Sequence, residues 1–546
     1  MRSRFSGSHT PREYELQRAF DGNCAAATTE RPLIRHTRRT TKSRPVAIVV
    51  AAIACVSLQS IVLASELRDE VTRSFERALT VTGAPTLLVE HRMGDVRVRA
   101  HGRNELRIQA TIHVSADSRS EASMLAERIQ IDVQESTSTI SITTRYPDFL
   151  IRESLRRGRS RDVSFSVDYD LLVPEQLPLN LRNRFGDVAV TGMKAGGSIV
   201  NASGRVTALD GSGRYDIENR FGTVEAMRLA GDVTIRGANG PVSANTITGT
   251  VSISNQFGNV NAAAIRGDAT ILNANGSVEA TGISGRADLR TTFGTVQFRD
   301  VGVVTASSAN GSVTGANVNG TATINATFGN VTLRNVTRDV RVINANGAIE
   351  LQDVRGGAEL STRFGRVDAL SVRGGLRVSA ANGPVKVVDV DGPVYLKTSF
   401  GPIEAERVRG ELTAENASGA VRATGVGGAA KVSTSFGPVV LREVDGRVDV
   451  TNRSGSVEAW PTVRPGTCHD VLLTTSFSPM VVHLPDTGYA VAARTTFGRI
   501  QADVPITASG AIGSNAVSGT IGRGGCALQL TNASGDIRIF RAAAAR

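Results

Sequence analysis

The chain has 546 residues, of which 56 are glycine and only 4% are aromatic, so a large enzyme core rich in aromatic side chains is not expected. An apolar fraction of 40% beside 21% charged residues excludes a wholly disordered chain. The net charge is +11, yet no basic stripe is interleaved with stacking aromatics. Because nucleic-acid surfaces need both features, no nucleic-acid partner is predicted.

The N-terminal region predicts export. Residues 46–64, VAIVVAAIACVSLQSIVLA, are apolar enough for a bilayer-spanning helix and follow a basic region, residues 1–45. Val62 and Ala64 also form a small-residue cleavage pattern. The segment is therefore either a signal that is removed or a membrane anchor that is not cleaved. Residues 1–45 would be removed in the first case and cytoplasmic in the second. The predicted location is the cell envelope: membrane-anchored, periplasmic or on the cell surface.

Residues 65–180 predict a β-rich cap that covers the first edge of a repeat array beginning at residue 181. Residues 87–100 have the pattern of a first coil, residues 120–129 that of a short amphipathic helix, and residues 162–172 that of a strand. An arginine cluster falls in one loop of this cap. It is either solvated or in contact with anionic lipid or envelope polymer, and comprises Arg152, Arg156, Arg157, Arg159 and Arg161.

A repeat dominates residues 181–460. A Phe-Gly pair recurs every 35 or 36 residues, and an Asn-Gly or Ser-Gly pair lies midway between successive Phe-Gly pairs. We call the first residue of each pair a marker. The phenylalanine markers are Phe185, Phe221, Phe257, Phe293, Phe328, Phe364, Phe400 and Phe436. The others are Ser203, Asn239, Asn275, Asn310, Asn346, Asn382, Ser418 and Ser454.

Each unit of about 18 residues contains two short segments with apolar residues at every second position. In one unit these are Val224 and Ala226, then Val233 and Ile235. Such strands bury their apolar faces only by stacking on equivalent strands. The sequence therefore predicts an all-β fold, a single-stacked parallel β-solenoid of about 18-residue coils with a β-rich N-terminal cap containing one short helix.

The alternation of markers predicts alternating side-chain sizes at one corner. Polar residues precede the phenylalanines, whereas Ala238, Ala274 and Ala381 precede asparagines. We expect phenylalanine to point inward in one coil and alanine in the next, because large over small packing avoids voids. The alternative is an exposed aromatic ladder that binds a glycan or peptide.

Residues 461–546 predict irregular C-terminal coils. The marker spacing loosens at Phe477, Phe497, Ser518 and Ser534. Cys468 and Cys526 lie in this region, and two cysteines in an oxidising compartment favour a disulfide over two free thiols.

Residues for catalysis, metal binding or cofactor binding do not stand out. No histidine occurs between Phe185 and Trp460, and no HExxH pair exists. Acidic residues recur intermittently at one strand position, where alternation predicts that they face water. These are Glu225, Glu279, Glu350, Asp368, Glu404 and Glu458. We expect no enzyme, no cofactor and no metal, with a glycosidase or lyase site as the open alternative.

The recurrent pattern GxVxVxxxxGxVxVxNxxG, with the VExxxGDVxV start and Val173-Pro174 before the array, resembles a bacterial family of exported proteins named as adhesins. The resemblance covers residues 87–540 and implies a binding or structural surface in the cell envelope. The partner would be an envelope glycan, lipid or protein, with the membrane also contacted through residues 46–64 if they are uncleaved. A membrane-anchored envelope-stress or signalling scaffold is the first alternative, and a polysaccharide-active enzyme is the second.

Overall fold

The computed structural model describes residues 69–148, 163–464, 467–509 and 513–542. All of them belong to the unit formed by residues 66–546, which is compact by itself. The predicted signal or anchor at residues 46–64 and the arginine cluster of the cap lie outside the described residues. Within the described ranges, no helix is both long and apolar enough to cross a bilayer.

The predicted parallel β-solenoid is confirmed. Each coil contributes one strand to each of two parallel sheets, and equivalent residues of successive coils pair, as Val224 does with Val242. One sheet, which we call the marker sheet, contains the strands that lead into the markers. The other is the second sheet. A tight turn after each marker joins the two, and in most coils the glycine that follows the marker has a positive φ, as Gly222 does at 121°.

The strand bounds follow the 18-residue repeat closely. Two long strands, Val278–Phe293 and Val296–Asn310, run from the second sheet into the marker sheet. The other marker-sheet strands of the array are Leu179–Phe185, Gly197–Ser203, Tyr215–Phe221, Val233–Asn239, Val251–Phe257, Ala269–Asn275, Ala322–Phe328, Val340–Asn346, Ala358–Phe364, Leu376–Asn382, Val394–Phe400, Leu412–Ser418, Ala430–Phe436, Val448–Asn452 and Val471–Thr475. Those of the second sheet are Val188–Thr191, Val206–Leu209, Val224–Leu229, Val242–Ile247, Val260–Ile265, Val313–Val318, Val331–Val336, Ile349–Val354, Val367–Val372, Val385–Val390, Ile403–Val408, Val421–Val426, Val439–Val444, Val457–Pro461 and Met480–Leu484.

The core between the sheets consists mainly of small aliphatic side chains in columns. Val224, Ala226 and Leu229 of one coil are all buried. In a strand with strict alternation, the side chain of Leu229 would point outward. Arg228 instead adopts a left-handed φ of 53°, so the side chain of Leu229 points into the core. The same conformation recurs in the following coils, for example at Thr246 and Ala264. Each second-sheet strand from Val224–Leu229 to Val439–Val444 therefore buries a third side chain after its left-handed residue.

The N-terminal cap places strands out of chain order. Its elements are the strands Asp69–Thr80, Thr86–Glu90, Val96–His101, Glu105–Ala116, Gln130–Glu135, Thr139–Arg145 and Ser164–Pro174, with the helix Arg119–Arg128. The first coil, Thr86–Glu90 with Val96–His101, lies between the array and a coil made by Thr139–Arg145 and Ser164–Pro174.

Antiparallel strands complete that end. Glu105–Ala116 pairs antiparallel with both Ser164–Pro174 and Asp69–Thr80, so the parallel stack stops there. The predicted cap helix is present, displaced by one residue from residues 120–129. It begins after Ser118, whose hydroxyl accepts the amide of Glu121 at 3.3 Å.

The C-terminal end is also closed out of order. Its strands are Tyr489–Thr495, Ile500–Ala502, Thr507–Ala508, Ala516–Ile521, Cys526–Asn532 and Ile537–Arg541. The last coil in sequence, Cys526–Asn532 with Ile537–Arg541, lies between the coil that contains Val471–Thr475 and the coil that contains Tyr489–Thr495. A disulfide joins Cys468 to Cys526, with the two Cα atoms 5.8 Å apart.

Candidate functional site: the marker edge

The predicted inward orientation of the phenylalanine markers is wrong. Their exposed fraction ranges from 44% at Phe185 to 61% at Phe400, so every ring of the regular array projects into solvent. Two further rings at the C-terminal end, Phe477 and Phe497, are exposed as well. Ten exposed phenylalanines therefore lie in register along one edge of the described solenoid, which we call the marker edge. The set is Phe185, Phe221, Phe257, Phe293, Phe328, Phe364, Phe400, Phe436, Phe477 and Phe497.

A buried polar residue occupies the inward place instead. It stands two positions before the marker, as Asn219 does before Phe221, and Asn219 is 2% exposed. Its amide Nδ2 donates to the carbonyl oxygens of Gly204 at 2.9 Å and Gly222 at 3.1 Å. These carbonyls belong to two successive turns, so one side chain satisfies backbone acceptors that a buried phenyl ring would leave unpaired.

This polar ladder runs through most coils of the array. Its buried asparagine, threonine and serine members include Asn183, Asn201, Asn219, Asn255, Asn273, Thr291, Ser308, Asn344, Thr362, Thr398, Asn416, Thr434 and Asn452. The alanines before the asparagine markers do not point inward either, which corrects the second half of the expectation. Ala380 is buried, whereas Ala381 is not. The turn after the marker admits only glycine, because a Cβ on Gly222 would lie only 2.2 Å from the carbonyl oxygen of Gly204.

The asparagine markers keep the spaces between the rings open. Nδ2 of Asn275 donates to the carbonyl of Gln256 at 3.2 Å, and Nδ2 of Asn346 donates to the carbonyl of Thr327 at 3.2 Å. Each of these carbonyls belongs to the residue before the phenylalanine of the preceding coil. Rings two coils apart are separated by roughly 9.6 Å, which is twice the spacing of paired strands. The marker edge is thus a row of phenyl rings with a short polar side chain between each pair.

At the C-terminal end, phenylalanine and polar markers still alternate along the edge in space, although they do not alternate in the order of the sequence. Phe477 and Phe497 follow one another as phenylalanine markers along the chain, but Ser534 lies between them because the last coil is inserted there. Ser518, which the spacing predicts as a marker, instead pairs antiparallel with Ala492 and is not on this edge. At the other end, Met93 pairs with Phe185 and extends the row.

A shallow groove adjoins the row on the outer face of the marker sheet. Its volume is about 720 Å³, and its lining includes Leu272, Ala274, Ala309, Ile343 and Ala345. Leu272 and Ile343 are 43% and 42% exposed. Apolar surface therefore continues from the rings onto the adjoining sheet in the middle of the array.

The acidic residues of the second sheet face outward and several form ion pairs. Arg366 bonds Glu350, and its Nε lies 3.0 Å from Asp368, an arrangement that raises the pKa of the guanidinium. Near the C-terminal end Trp460 stacks on His483 at 4.4 Å between ring centroids. Burial lowers the pKa of His483, whose Nε2 lies 3.6 Å from Glu458. Within the described residues, no three histidine, cysteine or acidic side chains come together as metal ligands would.

Comparisons with known proteins add little. No family model matches the sequence, and no curated protein matches it. Among solved structures, the chain is similar to a protein from Clostridium sporogenes whose name proposes a role in cell adhesion. That likeness covers 86% of this chain and all of the other, at 7% identity and a TM-score of 0.14. A TM-score this low supports no argument about fold or function.

Proposed function

We propose that the protein is a non-enzymatic, adhesin-like binding surface of the cell envelope, and that its binding site is the marker edge. The observation that carries the proposal is the row of ten phenylalanines of the described chain that are exposed and in register. Apolar side chains scattered singly over a surface need no explanation, whereas ten rings aligned in one row, with Leu272 and Ile343 exposed beside them, indicate an interaction site.

The internal structure of the edge supports a binding role over a packing role. The polar ladder already fills the corner beneath the rings, with Asn273 donating to Gly258 and Gly276 at 2.9 and 3.0 Å. The rings are therefore not needed to close the core. Exposing them costs solubility, and a bound partner that covers them would recover about 25 cal/mol for each Å² of apolar surface removed from water.

The disulfide supports the proposed location. Cys468 and Cys526 belong to neighbouring coils and are bonded, which fits an oxidising compartment outside the cytosol. The apolar segment at residues 46–64 would direct the chain there, either as a removed signal or as an anchor.

The test compares a ring variant with a control. Phe257→Ser, Phe293→Ser and Phe328→Ser are combined in the full chain, and the control carries Leu370→Ser and Gln352→Ser on the second sheet. Retention is measured on insoluble peptidoglycan, on vesicles of phosphatidylethanolamine and phosphatidylglycerol, and on the immobilised chain itself.

We expect retention on at least one of these probes, with loss in the ring variant and not in the control. Equal retention of the two variants on every probe would refute the marker edge as the binding site. Release of soluble sugar fragments from peptidoglycan, abolished by Glu350→Gln or another outward carboxylate substitution, would replace the binding role by an enzymatic one.

A further inference from the structure

We infer that the partner of the marker edge is a second copy of this chain, lying antiparallel with its phenylalanine rings inserted between those of the first. The inference rests on the proposed function in taking the marker edge as the binding surface. It adds the identity of the partner, the relative direction of the two rods and their register.

The spacing of the rings favours a second copy. Successive rings on one edge are roughly 9.6 Å apart, so a ring inserted midway lies about 4.8 Å from each neighbour. Aromatic pairs prefer ring centroids about 4.5–7 Å apart. Any other ligand would need a matching repeat over the whole row, whereas a second copy has the same repeat because it has the same coils.

The spaces between the rings have the chemistry that an inserted ring requires. The marker between two rings is always asparagine or serine in the described array, so the position that an inserted ring would cover carries no charged side chain. Nδ2 of Asn310 already donates to the carbonyl of Thr292 at 3.4 Å, and Nδ2 of Asn382 donates to that of Arg363 at 3.3 Å. Covering these side chains leaves that intramolecular bond in place.

The exposed area of the ten phenylalanine side chains is sufficient for a stable dimer. A phenylalanine side chain can bury roughly 150–250 Å². Because the ten rings are about half exposed, together they present on the order of 1,000 Å² on each copy. The two copies would then bury about 2,000 Å², which reaches the size of specific protein interfaces.

Symmetry decides the direction. Two parallel rods interdigitate only when one is displaced by a coil, and that contact is heterologous and does not close. An antiparallel pair related by a twofold axis is closed and isologous. The register that places all ten rings opposite shorter polar markers or Met93 puts the axis between Phe328 and Asn346. In it Phe328 of one copy faces Asn346 of the other, and Phe497 faces Met93.

Cross-linking in isolated envelopes tests direction and register together. The full chain carries Cys24→Ser and Cys55→Ser, so that added cysteines alone react with a short bis-maleimide. Asn346→Cys lies beside the axis and is expected to cross-link to itself. Ser203→Cys is expected not to, because its equivalent in the other copy lies about 70 Å away at the strand spacing of the rod. A mixture of Ser203→Cys and Ser454→Cys chains is expected to cross-link, because in this register Ser203 faces Phe477 of the other copy, and Ser454 lies one coil, about 4.8 Å, from Phe477.

The rings are tested in the same assay. Phe293→Ser, Phe328→Ser and Phe364→Ser together are expected to lower the Asn346→Cys dimer about tenfold, equivalent to about 1.4 kcal/mol, while Leu370→Ser with Gln352→Ser leaves it unchanged. Absence of any dimer, or self-cross-linking of Ser203→Cys, would overturn the inference. A chain that forms no dimer but is retained on peptidoglycan or vesicles through its rings would still satisfy the proposed function, so the two failures are distinguishable.

Discussion

His91 takes the place in the first coil that asparagine, threonine or serine holds in the polar ladder of the array. It is 5% exposed, its Nδ1 lies 3.0 Å from the hydroxyl of Thr144, and that hydroxyl lies 2.7 Å from the phenol of Tyr169. Burial is the largest influence on the imidazole and lowers its pKa to about 4. The residue is therefore neutral in the folded protein at neutral pH.

This burial predicts a loss of stability in acid. The pKa of His91 is lower in the folded than in the unfolded chain, so between about pH 6.5 and pH 4 the unfolded state binds more protons. The free energy of unfolding of the cap is expected to fall over that window, by up to about 3 kcal/mol. Urea denaturation at a series of pH values measures it.

Two variants serve as controls for this prediction. His91→Asn restores the residue type of the neighbouring coils and is expected to remove this contribution to the pH dependence. Asn183→His places a histidine at the same position one coil further along and is expected to add a second contribution. An unchanged slope in His91→Asn would show that other groups cause the acid sensitivity.

At the scale of the strand, a large side chain in one coil of the core is accommodated by a small residue at the equivalent position of the next coil. Phe298 is the large member of an inward column and is 4% exposed. The next residue in that column, Gly315, pairs with it across neighbouring strands. A Cβ on Gly315 would lie 2.1 Å from the Phe298 ring, so the ring occupies the space that a side chain there would need.

The contact between Phe298 and Gly315 predicts that substitutions at the two positions have non-additive effects on the free energy of unfolding. Phe298→Ala is expected to destabilise the protein by about 3–5 kcal/mol because it leaves a cavity. Gly315→Ala is expected to destabilise it through the clash. The double variant is expected to be more stable than the two single effects predict when summed, because the added methyl group enters the vacated space. Thermal or urea unfolding of the four proteins measures the coupling, and simple additivity would contradict it.

The elements of the array were predictable from sequence, whereas the side chains at its corner were not. Period-two apolar residues such as Val224 and Ala226, bounded by glycine, define a strand from the amino-acid pattern alone. The direction of Phe221 depends on hydrogen-bond acceptors created by the turn, and those exist only after two coils have stacked. The signal that could have revealed it is the recurring asparagine or threonine two positions before the marker. A buried polar residue there excludes a buried ring at the next inward position.

At the scale of the whole molecule, the disulfide joins the inserted last coil to the strand region that precedes Val471–Thr475. It closes a loop across a sequence separation of 58 residues. Chain entropy assigns such a crosslink about 4 kcal/mol. In a repeat array each coil contacts mainly its neighbours, so the effect is local.

Cys468→Ser is therefore expected to destabilise the C-terminal coils selectively. Amide exchange should accelerate in Tyr489–Thr495 and Cys526–Asn532 and stay unchanged in the middle of the array, for example in Val340–Asn346. Native hydrogen exchange with mass spectrometry measures both regions, and Cys24→Ser is the matched control. Acceleration throughout the rod would contradict local coupling.

The position of the last coil has a consequence for biosynthesis. Residues 526–541 follow residues 489–502 along the chain, yet they occupy an interior layer with residues 489–502 stacked outside them. The outermost layer therefore cannot dock until residues 526–541 have been synthesised and placed. A chain that lacks residues 526–541 would leave the strands Val471–Thr475 and Met480–Leu484 with a bare edge that is able to pair with another strand. The order of assembly at this end therefore runs against the order of the chain, because residues 526–541 must dock before residues 489–502 can.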